Sequence, residues 1–308
     1  MASQIASALR SPPTFSGSVA RTPSAPRDGG TSARRAQRSS RAPPICAGTR
    51  PRPVTRASST SARAQASPRG KLRRVTTPID LDRYFERIAY RGPRHATVES
   101  LAELSRAHVT AVPFENLSVL LGHSIPLEPE ALFDKIVVRR RGGYCFEQNG
   151  LFLEVLRALG FDATPLSARV RLRHSREHIS ARTHVLVRVI LDGRPWLADV
   201  GVGAASLTGA LRFDEEGEQA TPHEPRRIVR EEGRWFHQIK YGETWNDVYE
   251  LTGEEMPSID RVVGNWYTST HPESHFKDRL IAARALPNGR RATLLNRDYT
   301  IRDASGVG

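Results

Sequence analysis

The stretch RGGYCFEQN at residues 141–149 places a cysteine where a glycine turn gives way to a helix. Gly142 and Gly143 form the turn, and apolar residues recur at helical spacing after Cys145 until Gly160, a residue type that commonly ends helices. A helix N-terminus presents unpaired N–H groups and partial positive charge, which favours a thiolate. On position alone two interpretations stay open: a nucleophilic cysteine, with amides of the two glycines as an oxyanion hole, and a buried structural cysteine.

A hairpin downstream of this helix supplies a base and an acid. Residues 183–201 read THVLVRVILDGRPWLADVG, and Asp-Gly between alternating apolar runs is the signal for a two-residue type I′ turn. Pairing the residues that flank this turn puts His184 and Asp199 on one face as diagonal neighbours, about 7–8 Å apart at Cα. Nucleophile, base and orienting carboxylate form the triad that recurs on unrelated folds. The sequence therefore predicts Cys145, His184 and Asp199 as catalytic residues.

Upstream of the glycine turn, the pattern is helical. Thr77 and Thr97 are predicted N-caps, and Pro129 opens a third helix. Each predicted helix has an apolar face, made of Leu81, Tyr84, Phe85 and Ile88, then of Val98, Leu101 and Leu104, then of Leu132, Phe133 and Ile136. The folded part therefore opens as a helical domain, predicted to span residues 75–160 and to contain the nucleophile.

Beyond Gly160 the apolar period changes to two, which predicts an antiparallel sheet. The alternating positions are Leu166, Ala168, Val170 and Leu172, then Val185, Val187 and Val189, then Trp196, Ala198 and Val200. This region predicts a second domain at 161–222, which contains His184 and Asp199. A mixed pattern follows, with a helix expected near 274–284, and predicts a smaller α/β region at 223–308.

Charge is unevenly distributed along the 308-residue chain. The formal net charge is +13, but residues 1–75 hold 15 of the 46 Lys and Arg and a single acid, Asp28. Residues 76–308 carry 31 basic and 32 acidic side chains. This balance argues against a nucleic-acid enzyme, because a groove that binds nucleic acid requires more Lys and Arg than acidic residues within the folded part. With 38% hydrophobic residues and no apolar run long enough for a bilayer, the composition excludes a transmembrane protein.

Residues 1–74 are rich in Arg, Ser, Pro, Ala and Thr and poor in large apolar side chains. Such a segment cannot bury enough surface to offset its chain entropy, so it is predicted to be disordered. Two interpretations stay open. An Arg- and Ser-rich, acid-poor segment is typical of an organelle transit peptide, whereas a wrongly assigned start would add upstream sequence to a cytoplasmic domain that begins near Val75.

Cysteine and histidine spacing predicts no disulfide framework and no metal site. Cys46 and Cys145 are too few and too far apart for either, which favours a reducing compartment such as the cytoplasm. Two histidine pairs have the four-residue spacing of ligands on one helix face. Because no third convergent ligand is identifiable, solvated surface histidines are the favoured interpretation for both pairs, His174 with His178 and His271 with His275.

Several segments within residues 78–308 together resemble the arylamine N-acetyltransferases. They are VPFEN at 112–116, RGGYCFEQN at 141–149, TH at 183–184, DVG at 199–201, NWY at 265–267 and HP at 271–272. The resemblance implies an α+β fold of papain-like architecture, with a helical first domain, an antiparallel β-barrel second domain and an α/β lid. It also implies that this lid is shortened, because the chain ends at Gly308.

The resemblance implies a ping-pong reaction and a set of pocket residues. Acetyl-CoA, a co-substrate rather than a permanently bound cofactor, acetylates Cys145, and an arylamine, arylhydrazine or N-hydroxyarylamine then accepts the acetyl group, as in xenobiotic metabolism. Glu115 and Arg141 match a structural ion pair. The acceptor and CoA pockets are expected along Ser180, Thr183, Gly203, Ser206, Phe146 and Val202, and Val202, where the family usually has Phe, is expected to widen the acceptor pocket.

Other activities stay open with the same residues. A hydrolase or transglutaminase-like enzyme would pass the acyl group to water or to a protein amine through the same triad. Some relatives close amides in secondary-metabolite synthesis, and the residues do not separate these acceptors. A non-catalytic remnant that only binds acyl-CoA is a further alternative, motivated by the shortened C-terminus. Thioester formation on Cys145 separates this remnant from the enzymes.

Overall fold

The computed structural model describes residues 79–305 and begins with a helical region. Its helices are α1 (Leu81–Ile88), α2 (Val98–Ala111), α3 (Leu117–Leu120), α4 (Pro129–Phe133) and α5 (Cys145–Ala158). The predicted cap at Thr77 and the predicted start of the fold near Val75 lie outside the described residues.

Side-chain caps fix the start of the first two helices. Thr97 caps α2 as predicted, because its hydroxyl accepts a hydrogen bond from the Ser100 amide at 3.2 Å. At α1 the cap is Asp80, whose carboxylate accepts from the Arg83 amide at 3.0 Å. Each cap satisfies one of the amides that the first helical turn leaves without an intrahelical partner.

The third predicted helix is short and leads directly to the glycine turn. After α4 the chain makes one π-helical turn, Asp134–Val138, which buries Ile136 completely. Arg140 then adopts a left-handed conformation with φ 52°. The buried guanidinium of Arg87 stabilises this segment by donating from Nε to the Ile136 carbonyl at 2.9 Å. These contacts fix the path into the turn before α5.

The central helix α5 packs its apolar face into the main core. Leu151, Phe152, Val155 and Leu156 are fully buried, in contact with side chains of α1, α2 and the following sheet. Gly160 then takes φ 86°, a conformation that glycine adopts without steric cost. The predicted end of this helix at Gly160 is confirmed.

A seven-stranded antiparallel sheet follows, in the order β5-β4-β3-β2-β8-β7-β6. Its strands are β2 (Asp162–Val170), β3 (His184–Leu191), β4 (Arg194–Ala198), β5 (Leu211–Arg212), β6 (Arg226–Glu231), β7 (Arg234–Tyr241) and β8 (Thr244–Leu251). The β3–β4 hairpin has the predicted register, since Leu191 pairs with Arg194. Asp192 and Gly193 have φ of 50° and 72°, as a type I′ turn requires.

The sheet curls into a nearly closed barrel, and Gln219 links its two edges. The Gln219 backbone exchanges hydrogen bonds of 2.7 and 2.9 Å with Arg226 of β6. Its side-chain amide exchanges hydrogen bonds of 2.7 and 3.0 Å with the backbone of Arg212 in β5. The boundary predicted after residue 222 therefore falls between β5 and β6, two strands of one sheet.

Both faces of β3, the strand that begins with His184, are buried along most of its length. Val187 and Val189, which the period-two pattern singled out, pack against the helices. The opposite face, represented by Leu166, Leu186 and Leu197, fills a second core inside the barrel. The triad elements therefore sit between two packed layers.

The C-terminal part combines one helix with a small sheet. The helix is α6 (Ser258–Thr270), and the sheet has the order β1-β9-β10-β11, with β1 (Phe114–Glu115), β9 (Ile281–Ala285), β10 (Arg291–Leu295) and β11 (Asp298–Arg302). The helix predicted near 274–284 is wrong. Residues 281–285 instead pair with β10 and with the distant β1, and local spacing does not encode that long-range pairing.

The α+β class is confirmed, with a helical region, an antiparallel barrel and a mixed C-terminal part. Within residues 79–305, no helix is long and apolar enough to cross a membrane.

Candidate active site

Cys145 is the first residue of α5 and is almost fully buried. Glu147 secures this helix start, because its carboxylate accepts a hydrogen bond from the Tyr144 amide at 3.0 Å and from Lys135 Nζ at 2.5 Å. The Cys145 sulfur lies 3.7 Å from the carbonyl oxygen of Thr183, the residue before β3. The helix terminus therefore aims the thiol at the start of the hairpin.

The glycine turn before Cys145 is held against β1. The Glu115 amide donates to the Gly143 carbonyl at 3.0 Å, and the Gly143 amide donates to the Pro113 carbonyl at 3.4 Å. A Cβ on Gly142 would collide with this same Pro113 carbonyl, so the turn requires glycine there. The expectation that the Gly143 amide serves an oxyanion hole is wrong, because that amide is directed at Pro113.

His184 and Asp199 meet at the open end of the hairpin, as its register predicts. The His184 ring bonds through Nε2 to the Asp199 carboxylate at 2.7 Å, and both side chains are buried. The Cys145 side chain is the other neighbour of this ring, close enough to contribute to the raised pKa of His184. Thiol, imidazole and carboxylate thus form one continuous line of contacts.

The charge on His184 is set by its two neighbours. Burial by itself lowers the pKa of His184, but the negative charge of Asp199, the hydrogen bond to Asp199 and the nearby Cys145 side chain outweigh it and raise the pKa to about 10. The ring is therefore an imidazolium at neutral pH, and it lies next to the sulfur. An imidazolium in this position stabilises a thiolate.

Asn149 orients the carboxylate, a role the sequence analysis did not assign. Its side-chain amide donates to Asp199 Oδ1 at 2.8 Å and to the Val185 carbonyl at 2.6 Å, and its oxygen accepts from the Val200 amide at 2.9 Å. Asn149 lies one helical turn after Cys145 on α5. That four-residue spacing, which puts both side chains on one helix face, is the signal that could have identified it.

Replacing Asn149 by leucine is expected to lower kcat/KM about 10- to 100-fold, because Asp199 loses a donor in a buried site. Steady-state kinetics, with the melting temperature measured in parallel, check this result. Asn246→Ala, at an exposed asparagine of β8, is the matched control. An Asn149→Leu enzyme as active as that control would contradict the orienting role.

Glu115 and Arg141 form the expected ion pair beside the glycine turn. Arg141 Nη2 donates to Glu115 Oε1 at 3.1 Å, and the other carboxylate oxygen accepts from the Leu117 amide at 2.6 Å. Glu115 is buried, whereas the Arg141 side chain is 39% exposed. Both carboxylate oxygens are thus hydrogen-bonded, the condition under which a buried ion pair is tolerated.

The residues predicted to line the pockets separate into two groups. Thr183 lines a cavity of about 350 Å³ together with Arg182, Glu255 and Tyr267, and buried Phe146 lies behind it, since a Cβ on Gly264 of that cavity would be 2.8 Å from the Phe146 ring. The second group lies on the loop after Asp199 and comprises Val202, Gly203 and Ser206. Ser180 belongs to neither group: its hydroxyl donates to the Val170 carbonyl at 2.9 Å.

The loop after Asp199 passes directly over Cys145. A Cβ on Gly201 would lie 2.9 Å from Cys145 Cα. Val202 is buried, and a Cβ on Gly203, which has φ 69°, would lie 3.6 Å from the Phe114 ring. This loop therefore packs closely on the backbone of Cys145 and next to Phe114.

Histidines of both spaced pairs make ring-stacking contacts. His174 stacks on His178 with ring centroids 4.4 Å apart, and His271 stacks on Tyr267 at 4.5 Å. Between residues 79 and 305, no group of three His, Cys, Asp or Glu side chains is arranged to hold a metal ion.

Comparison with known proteins places this geometry in one family. The family model described as N-acetyltransferase matches residues 97–307. The arylamine N-acetyltransferase of Escherichia coli is 40% identical over 224 residues, which cover 73% of this chain and 79% of the relative. The arylamine N-acetyltransferase of Mycobacterium tuberculosis is 40% identical over 233 residues, which cover 74% and 82%.

Solved structures give the same result. The arylamine N-acetyltransferase of Salmonella typhimurium superposes with a TM-score of 0.70 at 39% identity, covering 74% of this chain and 83% of that one. The Mycobacterium marinum enzyme in complex with CoA superposes with a TM-score of 0.71 at 37% identity, covering 74% and 85%.

Proposed function

This chain belongs to the arylamine N-acetyltransferase family, and from that premise we propose that it transfers an acetyl group from acetyl-CoA to an aromatic amine through a thioester on Cys145. The observation that carries the proposal is the line of contacts from Cys145 through His184 to Asp199. The Mycobacterium marinum relative, solved with CoA, supports CoA as the carrier of the donor. Glu115 and Arg141 have a structural role in this proposal.

In the first half-reaction the Cys145 thiolate attacks the acetyl carbonyl carbon. The carbon–sulfur bond to CoA breaks, and the departing CoA thiolate takes the proton from the His184 imidazolium. His184 is then neutral, and Asp199 keeps its ring oriented. Cys145 now bears the acetyl group as a thioester, and CoA leaves as the free thiol.

In the second half-reaction the amine nitrogen attacks the thioester carbonyl. The carbon–sulfur bond to Cys145 breaks, the amine proton passes to His184, and the thiolate–imidazolium pair is restored. An arylamine or arylhydrazine fits this step because its nitrogen is neutral and nucleophilic at neutral pH. The cavity beside Thr183 is the proposed site for its aromatic ring.

A transferase with this site works where thiols stay reduced, and we place it in the cytoplasm. Transfer to water or to a protein amine through the same residues is the competing activity. Hydrolysis is distinguished from transfer to an arylamine by one observable, because a hydrolase would release CoA continuously without an added amine.

Initial-rate kinetics test the two-step mechanism. We expect parallel double-reciprocal lines when acetyl-CoA is varied at several fixed concentrations of an arylamine, and CoA release that depends on the amine after one turnover. Intersecting lines would mean that both substrates bind together before transfer and would refute the thioester route. Sustained CoA release without amine would indicate hydrolysis.

A further inference from the structure

A buried ion cluster outside the triad joins the barrel to the C-terminal sheet. Arg291 of β10 donates to the two carboxylate oxygens of Glu224 at 2.7 and 2.8 Å, and Arg226 of β6 donates to the same carboxylate at 3.3 Å. Arg302 of β11 lies 3.7 Å from it. We call Glu224, Arg226, Arg291 and Arg302 the Glu224 cluster.

This cluster carries a surplus of buried positive charge. Glu224, Arg226 and Arg291 have side chains no more than 1% exposed, and Arg302 is 16% exposed. Burial by itself raises the pKa of Glu224, but the arginine hydrogen bonds and charges lower it to about 2, and burial and Arg291 lower the pKa of Arg226 to about 10. Three guanidinium groups thus face one carboxylate at neutral pH, an arrangement that costs desolvation energy.

The spare donors of the cluster bind one short segment. Arg302 Nη2 donates to the Ala204 carbonyl at 3.1 Å, and Arg226 Nη1 donates to the Ala205 carbonyl at 3.0 Å. Both carbonyls belong to the single 3₁₀ turn Gly203–Ala205. Arg302 is itself fixed by the Tyr241 hydroxyl at 2.6 Å. Two arginines from different sheets therefore hold consecutive carbonyls of one turn.

That turn continues the loop that passes over Cys145. The Leu207 amide, just beyond it, donates to the Asp199 carbonyl at 2.8 Å, which closes the loop on the triad. Ala204 packs against the buried group that contains Cys145 and Phe114. A shift of the turn would therefore disturb the loop that packs on Cys145, while the His184–Asp199 contact is held from the other side by Asn149.

We propose that the Glu224 cluster positions the Gly203–Ala205 turn as the substrate-facing wall of the active site, so that Arg302 and Arg226 are positioning residues for acetyl transfer. The inference rests on the proposed function and deepens it, since it names the residues that hold the loop next to the nucleophile in place. A cluster that only supported the β10–β11 hairpin would have no need to bind the turn.

Arg302→Gln tests this directly, because Arg302 is the least buried member and its loss leaves the Glu224–Arg291 pair intact. We expect the KM for acetyl-CoA to rise about tenfold because the turn loses one of its two arginine contacts, with kcat within about twofold and the melting temperature lower by only a few degrees. Arg302→Lys keeps a donor and a charge and should restore most of the affinity. Arg297→Gln, at an exposed arginine in the turn of the same hairpin, is the charge-matched control.

Alkylation of Cys145 by iodoacetamide shows whether the Arg302→Gln effect comes from a displaced Gly203–Ala205 turn or from damage to the triad. In a Cys46→Ser background, its rate should be the same for Arg302→Gln and wild type, because His184 and Asp199 do not contact Arg302. An unchanged KM for acetyl-CoA in Arg302→Gln would overturn the proposal. It would be overturned equally if the melting temperature and kcat both fell while the KM stayed constant, because a smaller folded fraction would then explain the loss.

If the proposed function is wrong, the wild-type protein will form no acetyl-enzyme with acetyl-CoA, and this outcome is recognised without any Arg302 variant. The cluster is then tested by hydrogen exchange of the amides at 203–207. Faster exchange in Arg302→Gln than in Arg297→Gln supports the positioning role, and equal exchange overturns it.

Discussion

Replacing Cys145 by serine is expected to abolish acetyl transfer, with kcat falling by roughly 10⁴-fold or more. A serine hydroxyl stays protonated beside His184, so the imidazolium that stabilises the thiolate gives no comparable activation of oxygen. The substitution replaces one buried atom with a smaller one and should leave the fold intact. Steady-state turnover with acetyl-CoA and an arylamine, on protein whose melting temperature matches wild type, checks the result.

The chain provides its own matched control for this prediction. Cys46 lies in the Arg-rich segment, outside residues 97–307 that the family model matches, so Cys46→Ser removes the chain's other thiol and leaves every triad residue unchanged. We expect Cys46→Ser to retain full activity. A folded Cys145→Ser protein that still acetylates amines at a wild-type rate would refute the nucleophile.

Replacing Asp199 by asparagine is expected to lower kcat by about 10³- to 10⁴-fold. The loss has two physical causes: the amide no longer fixes the ring of His184, and it no longer supplies the charge that raises the His184 pKa. In wild type the imidazolium persists to about pH 10, so iodoacetamide alkylation of Cys145 should show no inflection from His184 in the neutral range. In Asp199→Asn it should be slow at neutral pH and rise with pH.

The pH profile distinguishes this effect from a general loss of structure. A misfolded fraction would reduce alkylation and turnover by one factor at every pH, whereas loss of the ion pair changes the shape of the curve. Asp214→Asn, at an exposed aspartate paired with Arg212, is the control. An Asp199→Asn profile that keeps the wild-type shape and rate would contradict the proposed triad.

Local patterns were sufficient for the parts of the fold that local chemistry controls. Capping by Thr97, the end of α5 at Gly160 and the Asp192–Gly193 turn each depend on a few consecutive residues, and the structure has all three. The prediction of a helix near 274–284 was wrong because the structure of that segment depends on distant residues rather than on local ones. Residues 281–285 form a strand because β1 and β10 lie on either side of it, and β1 comes from a distant part of the chain.

In the candidate site, too, features set by local sequence were predicted and features set by long-range packing were not. Hairpin register alone placed His184 and Asp199 together, since a two-residue turn fixes the partner of every following residue. The contact to Cys145 was expected from triad chemistry rather than from any measurable spacing. The roles of Asn149 and of the Glu224 cluster were not predicted, because they depend on how α5, the barrel and the C-terminal sheet pack. The direction of the Gly143 amide was mispredicted because its acceptor, Pro113, lies on another segment.

Intact-mass measurement of the acetyl-enzyme tests the central claim most directly. The full chain is incubated with acetyl-CoA, as wild type, Cys145→Ser and Cys46→Ser, and an aromatic amine is then added to each. The account predicts a mass increase of one acetyl group in wild type and Cys46→Ser, its absence in Cys145→Ser, and its loss when the amine is added. A folded wild-type protein that gains no acetyl group, or that gains one equally in Cys145→Ser, would contradict transfer through Cys145.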